Sequence, residues 1–222
     1  MNRRDFTRLG AAALLGHFAF GASGEAFDYP WKLGIITDQV AFDLADVLNA
    51  FYSKYQLGWA EIRYLKLRDV NRYVYAEATQ RELKEIRRRL DGAGVKLSVL
   101  DTAIYKIALP ATTPVGETPA YVDSSHERFD RQREDLKRAA DAAHALGTDR
   151  LRIFTFRRVA NPATIFNRVV DELQKAIVIA KQQDVTLLVE NEYDCNTGTG
   201  KETARLFRAI PDRKADAQLG SL

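Results

Sequence analysis

The residues with the clearest chemical potential lie in the run Leu187-Leu188-Val189-Glu190-Asn191-Glu192. A strand this apolar is expected to be buried. Carboxylates at its exit then stand where loss of water is costly, unless a cation or a partner group compensates. If the backbone stays extended, its period of two sends Glu190 and Glu192 to one face and Asn191 to the other. Carboxylate oxygens suit hard and borderline divalent cations, so Mg, Mn, Co and Zn are all open on charge grounds. The plainer reading is a pair of solvated acids at a strand end. The turn Asn196-Thr197-Gly198-Thr199-Gly200 then enters a helix whose free N–H groups either hold a phosphate or carboxylate or are simply capped.

These residues need elements to position them. Residues 31–37, 59–65, 95–104, 150–156 and 185–190 have strand length and are rich in Ile, Val, Leu and aromatics. Helical spacing fills the intervals. Residues 42–55 put Leu44, Val47 and Leu48 on one side, and residues 79–90 open on a Thr79 cap and align Leu83, Ile86 and Leu90. A long helix ends at Gly147, another begins at the Asn161-Pro162 pair, and a last one covers about 201–209. Five strand–helix units in alternation imply a parallel sheet with right-handed crossovers. A five-stranded doubly wound sheet would be complete at this length, whereas an eightfold barrel would lack three units. The loop 108–122, with Pro110, Pro114, Gly116 and Pro119, is long enough to be a flap over a site or a passive excursion. No Gly-x-Gly-x-x-Gly or Walker pattern follows a strand, so nucleotide binding has no motif behind it.

The stretch from Val185 to Phe207, with its LLVENE strand end, CNTGTG turn and KETARLF helix, resembles the fifth unit of xylose-isomerase-like sugar phosphate isomerases and epimerases. Trp59-Ala60-Glu61-Ile62-Arg63 is similar to their second strand, and Ser98-Val99-Leu100-Asp101-Thr102 to their third. The resemblance runs over residues 31–212. It implies a (β/α)8 TIM barrel with a divalent metal at its C-terminal mouth, used in aldose–ketose isomerisation or epimerisation by proton transfer next to a carbonyl. Glu190 matches the metal-ligating glutamate of the fifth strand. Glu190 and Glu61 are the catalytic candidates, with Glu61 expected to help position substrate and the group that moves the proton left open. Arg63, Lys106, Arg152, Asn191 and Glu192 are the candidates for binding a carbohydrate or sugar phosphate. Glu61 and Arg63 share one strand face, either as a polyol-orienting acid–base pair or as a structural ion pair.

The family pattern also calls for an Asp, a His and a Glu from the sixth to eighth strands, and no apolar run follows residue 212. The expectation is therefore an α/β chain with a partial, unclosed TIM barrel of about five βα units, C-terminally truncated. It would comprise a domain over residues 27–214 and an unstructured tail over 215–222, with its metal held weakly. Activity would belong to the full-length form, the alternative being a non-catalytic carbohydrate-binding or remnant protein. Exposed edges on the first and fifth strands would favour self-association.

The 222 residues carry a formal charge of +3, to which Arg3, Arg4 and Arg8 contribute most. The near-neutral remainder argues against bulk nucleic-acid binding, and so against the apurinic endonucleases that share this barrel. Asn2-Arg3-Arg4-Asp5-Phe6 resembles a twin-arginine export signal, so residues 1–26 are expected to direct the protein to the periplasm. The apolar run after it is too short for a stable membrane span. One cysteine, Cys195, excludes an internal disulfide.

Overall fold

The computed structural model describes residues 33–116, 128–210 and 219–221. Residues 1–32, on which the expected export signal falls, and residues 117–127, 211–218 and 222 lie outside them. In chain order the elements are β1 (Gly34–Ile36), α1 (Leu44–Val47), β2 (Trp59–Ile62), β3 (Tyr64–Leu67) and β4 (Val70–Tyr73). Next come α2 (Val74–Glu77), α3 (Gln80–Gly92), β5 (Lys96–Asp101), α4 (Gln132–Leu146) and β6 (Arg150–Ile153). The last are α5 (Phe166–Gln182), β7 (Thr186–Val189), α6 (Gly200–Ala209) and β8 (Leu219–Ser221).

Local chemistry explains the main helices. Thr79 and Glu82 form a reciprocal capping box at the start of α3, with the Thr79 N–H donating to Glu82 Oε2 at 2.8 Å and the Glu82 N–H to Thr79 Oγ1 at 3.3 Å. From there Leu83, Ile86 and Leu90 turn inward. Helix α4 buries Leu136, Ala139, Ala140, Ala143 and Leu146. Its run of alanines lets it lie close to its neighbours. Helix α5 buries Val169, Leu173, Ala176 and Ala180. Against these stripes sit Leu97, Leu151, Leu187 and Val189 of the strands, all buried, as a helix-covered parallel sheet requires.

Strand order decides the architecture. The main sheet runs β1-β2-β5-β6-β7-β8, and every pairing in it is parallel. Once the β3–β4 hairpin is set aside, each strand lies beside its predecessor. A doubly wound sheet would reverse near its first strand, so the doubly wound alternative falls. Among the described residues β1 and β8 do not pair with each other, and the sheet is an open arc of a TIM-type barrel.

Two expectations need correction. Residues 59–65 do not form one strand: β2 stops at Ile62, and β3 and β4 make a separate antiparallel hairpin pairing Tyr64 with Tyr73. Its turn residues Arg68 and Asp69 have φ of 49° and 61°. Such turns usually advertise themselves with Asn-Gly, and here they do not. The tail was expected to be unstructured, yet Leu219–Ser221 pairs with β7 in the register Leu187↔Leu219, Leu188↔Gly220, Val189↔Ser221. The outer edge of β7 offers a row of backbone N–H and C=O groups, and pairing with it needs no apolar run.

Gly147 ends α4 in the left-handed region at φ 83°. A Cβ there would lie 1.2 Å from Arg87 Nη1, the group that donates to Leu146 O at 2.8 Å. Gly147→Ala is therefore expected to cost about 1 to 3 kcal/mol in urea denaturation, through backbone strain plus the lost cap. Gly92→Ala, with nothing within 4 Å of the new methyl, should leave stability unchanged or slightly raised.

Candidate active site

Four adjacent strands each deliver a charged side chain to the C-terminal mouth of the arc. Glu61 comes from β2, Asp101 from the end of β5, Arg152 from β6, and Glu190 follows β7 directly. Arg152 Nη1 stands 3.1 Å from Asp101 Oδ2 and 3.1 Å from Glu190 Oε2. The Arg152 side chain is 4% exposed, Asp101 is fully buried and Glu190 is 33% exposed. Neither contact has the alignment of a hydrogen bond. Both Asp101 oxygens and Glu190 Oε2 are thus buried without a hydrogen-bond donor. Directed bonds hold the rest: Arg152 Nη2 donates to Thr102 O at 3.3 Å, and the Thr102 hydroxyl donates to Arg152 O at 2.5 Å.

Burial pushes the Asp101 carboxyl up to about 7. Arg152 pulls the other way, and Glu61 and Glu190 add to the rise. Burial likewise raises Glu61, opposed by Arg152 and reinforced by Glu190. Glu61 and Asp101 thus feel the charges of Arg152 and Glu190 on top of their own loss of water, as expected where like charges converge in a desolvated site.

The remaining sequence candidates divide. Lys106 and Glu192 meet in an ion pair that bridges the loops after β5 and β7. The Lys106 ammonium also lies 4.7 Å from the centre of the Phe154 ring, which Arg152 approaches at 5.1 Å. Asn191 is exposed, beyond the end of β7 at Val189. The expected Glu61–Arg63 pairing does not form, because β2 ends at Ile62 and the chain swings into the hairpin. Arg63 is instead bound by Asp38, with Nη2 at 2.7 Å and Nε at 3.3 Å from Asp38 Oδ2. Asp38 carried no signal in the sequence, being an isolated acid in the turn after β1. Asp101 was visible only as part of a motif.

The loop after β7 is clamped to the loop after β6. The Asn196 side-chain amide donates to Thr155 O, Phe156 O and Arg157 O at 2.9 to 3.1 Å, and its oxygen accepts the Val159 N–H at 3.1 Å. Arg157 pairs with Asp194, and Arg158 with Glu202 at 2.7 Å. At the start of α6 the Gly198 N–H donates to Glu202 Oε2 at 2.9 Å and Thr199 Oγ1 accepts from the Glu202 N–H at 3.2 Å. The turn weighed as an anion site thus holds the chain's own carboxylate. It works as a cap.

Glu190 Oε2, a buried oxygen lacking a donor, fits a divalent cation as one ligand. Glu192, Asp194 and Cys195 also lie close together, but they make a poor centre. Both acids are already paired with cations, and burial pushes the Cys195 thiol to about 12, leaving no thiolate at neutral pH. His144 is on α4, bonded to Gln183 O at 2.8 Å.

The raised Asp101 carboxyl carries a sign for stability. Between its ordinary 3.8 and about 7 it is protonated when folded and ionised when unfolded. The stability gained by burying the neutral acid is full below the lower value and is lost as pH rises through the upper one. Wild type should accordingly lose about 2 kcal/mol or more relative to Asp101→Asn between pH 4 and pH 7.5 in urea melts. A constant difference across that range would contradict the assignment.

Comparison with known proteins agrees with this geometry. The family model described as xylose isomerase-like TIM barrel matches residues 53–219. A search of curated proteins returns no match. Among solved structures, the IolI protein with a binding zinc atom superposes with a TM-score of 0.61 at 13% identity. The probable 3-DHS dehydratase AsbF from Bacillus anthracis does so with 0.61 at 14%. D-psicose 3-epimerase, crystallised in the presence of D-fructose, gives 0.53 at 13%. Each comparison covers 86% of this chain and 62% of the other, so the chain spans less than two thirds of the length of these structures. At such identities the likeness is one of fold. With the family model matched over most of its length and its strands in barrel order, the chain belongs to the xylose isomerase-like TIM barrel family.

Proposed function

We propose that this barrel mouth serves proton transfer at the carbon next to a carbonyl in a small carbohydrate or sugar phosphate, as in an isomerase or epimerase. The observation that carries the reading is the convergence of Glu61, Asp101, Arg152 and Glu190 on one desolvated mouth, with three buried carboxylate oxygens lacking a donor. A polyol hydroxyl that reaches the partly exposed Glu190 would supply a donor there. The fold likeness to D-psicose 3-epimerase, crystallised in the presence of D-fructose, supports the same class of substrate.

In this reading Glu61 moves the proton. Its carboxyl is raised by burial, which makes it a stronger base when ionised than an exposed glutamate. Arg152 balances the negative charge around it, and the Lys106–Glu192 pair borders the opening above Phe154. Glu190 would be one ligand of a divalent cation, Mg, Mn, Co or Zn, which when bound polarises the substrate carbonyl. Asp101, fully buried behind Arg152, sets the electrostatics of the mouth.

The reading is tested by incubating ketohexoses and their phosphates with the protein and Mn2+ in D2O and following deuterium entry next to the carbonyl by NMR. Wild type is expected to catalyse exchange, Glu61→Gln to lose about 100-fold or more, and Glu190→Gln to lose metal dependence. Undiminished exchange in Glu61→Gln would remove its role. Saturable binding of these sugars without exchange would instead favour a non-catalytic carbohydrate-binding protein.

A further inference from the structure

The mouth already holds a cation of its own. Arg152 Nη1 is equidistant, at 3.1 Å, from an oxygen of Asp101 and an oxygen of Glu190. Neither contact is aligned as a hydrogen bond, and Arg152 Nε is itself buried without a partner. Charge, rather than directed bonding, holds the guanidinium between the acids. The two acids differ in freedom. Asp101 is fully buried and fixed beside the guanidinium, whereas Glu190 is 33% exposed and can turn toward the opening.

A metal ion at Glu190 would bring a second positive charge next to this guanidinium. Like charges at that separation repel strongly in a desolvated site. Glu190 Oε2 cannot serve both partners at full strength, and Arg152 has somewhere to stay, held by Asp101 and Thr102 O. We propose that Arg152 is a built-in counter-ion that a divalent cation must displace from Glu190, so that this arginine sets the metal affinity of the site. This rests on the reading of Glu190 as a metal ligand. Without Arg152, Asp101 and Glu190 lose the cation that stands between them, and a divalent ion at Glu190 would meet no competing guanidinium.

The experiment compares Mn2+ binding, by calorimetry and by water-proton relaxation, in wild type, Arg152→Met, Arg152→Lys and Glu190→Gln. Arg152→Met is expected to bind Mn2+ at least roughly tenfold more tightly than wild type and to gain more in thermal melting temperature on adding Mn2+. Arg152→Lys should bind like wild type, and Glu190→Gln should lose binding. Wild-type binding that Arg152→Met merely equals would overturn the counter-ion role and leave the ligand role of Glu190 standing. Absence of Mn2+ binding in both would overturn the two together. Should Arg152→Met fail to fold even with Mn2+, a Mg2+ titration of wild type decides the matter through the Arg152 side-chain N–H resonances. Their movement as Mg2+ saturates supports displacement, and resonances that stay fixed overturn it.

Discussion

A guanidinium 4% exposed to solvent and flanked by two carboxylates sits where a parallel sheet ends, and much of the molecule is arranged around it. Taking such charges out of water is expensive, and their mutual attraction offsets the cost only when position is well defined. Here position comes from the register of the sheet. Asp101 pairs with Arg152 across β5 and β6, and the Glu190 N–H donates to Ile153 O at 3.0 Å, so backbone bonding alone sets the three side chains in a row. The helices then exclude water from behind, with the alanines of α4 letting it approach closely enough to do so.

The clamp between the loops after β6 and β7 extends the same logic beyond the strands. Loops at a barrel mouth carry function only if they hold their shape. Asn196 does this by binding the backbone of residues 155–159, and the ion pairs of Arg157 and Arg158 fasten its two sides. Consequently Glu190 is tethered from both directions, by β7 before it and by the clamped loop after it. Its remaining freedom is toward the opening, where a substrate or cation would arrive.

Much of this was legible beforehand, for identifiable reasons. Alternation of apolar runs and amphipathic helices is a periodic signal, and it located all five strand–helix units. Glu190 stood out because a carboxylate directly after three apolar residues contradicts its surroundings. The Glu61–Arg63 pairing was misread because strand periodicity was extended across Ile62, where the chain bends; the Arg68–Asp69 turn adopts positive φ without the usual residues. Asp38 and the charge balance at Asp101 were hidden for another reason. Their partners, Arg63 and Arg152, are 25 and 51 positions away, and only the sheet brings them together. Leu219–Ser221 was missed because backbone pairing leaves no hydrophobic pattern to read.

The central claim is that burial at the strand ends, opposed by Arg152 and reinforced by Glu61 and Glu190, holds the Asp101 carboxyl well above its ordinary value. The most direct test is a 13C NMR titration of the Asp101 carboxyl, in wild type and in Glu61→Gln. The structure predicts a wild-type midpoint near 7 that moves downward when the neighbouring acid is neutralised. A midpoint near 4, indifferent to Glu61, would show an ordinary solvated carboxylate and contradict the account.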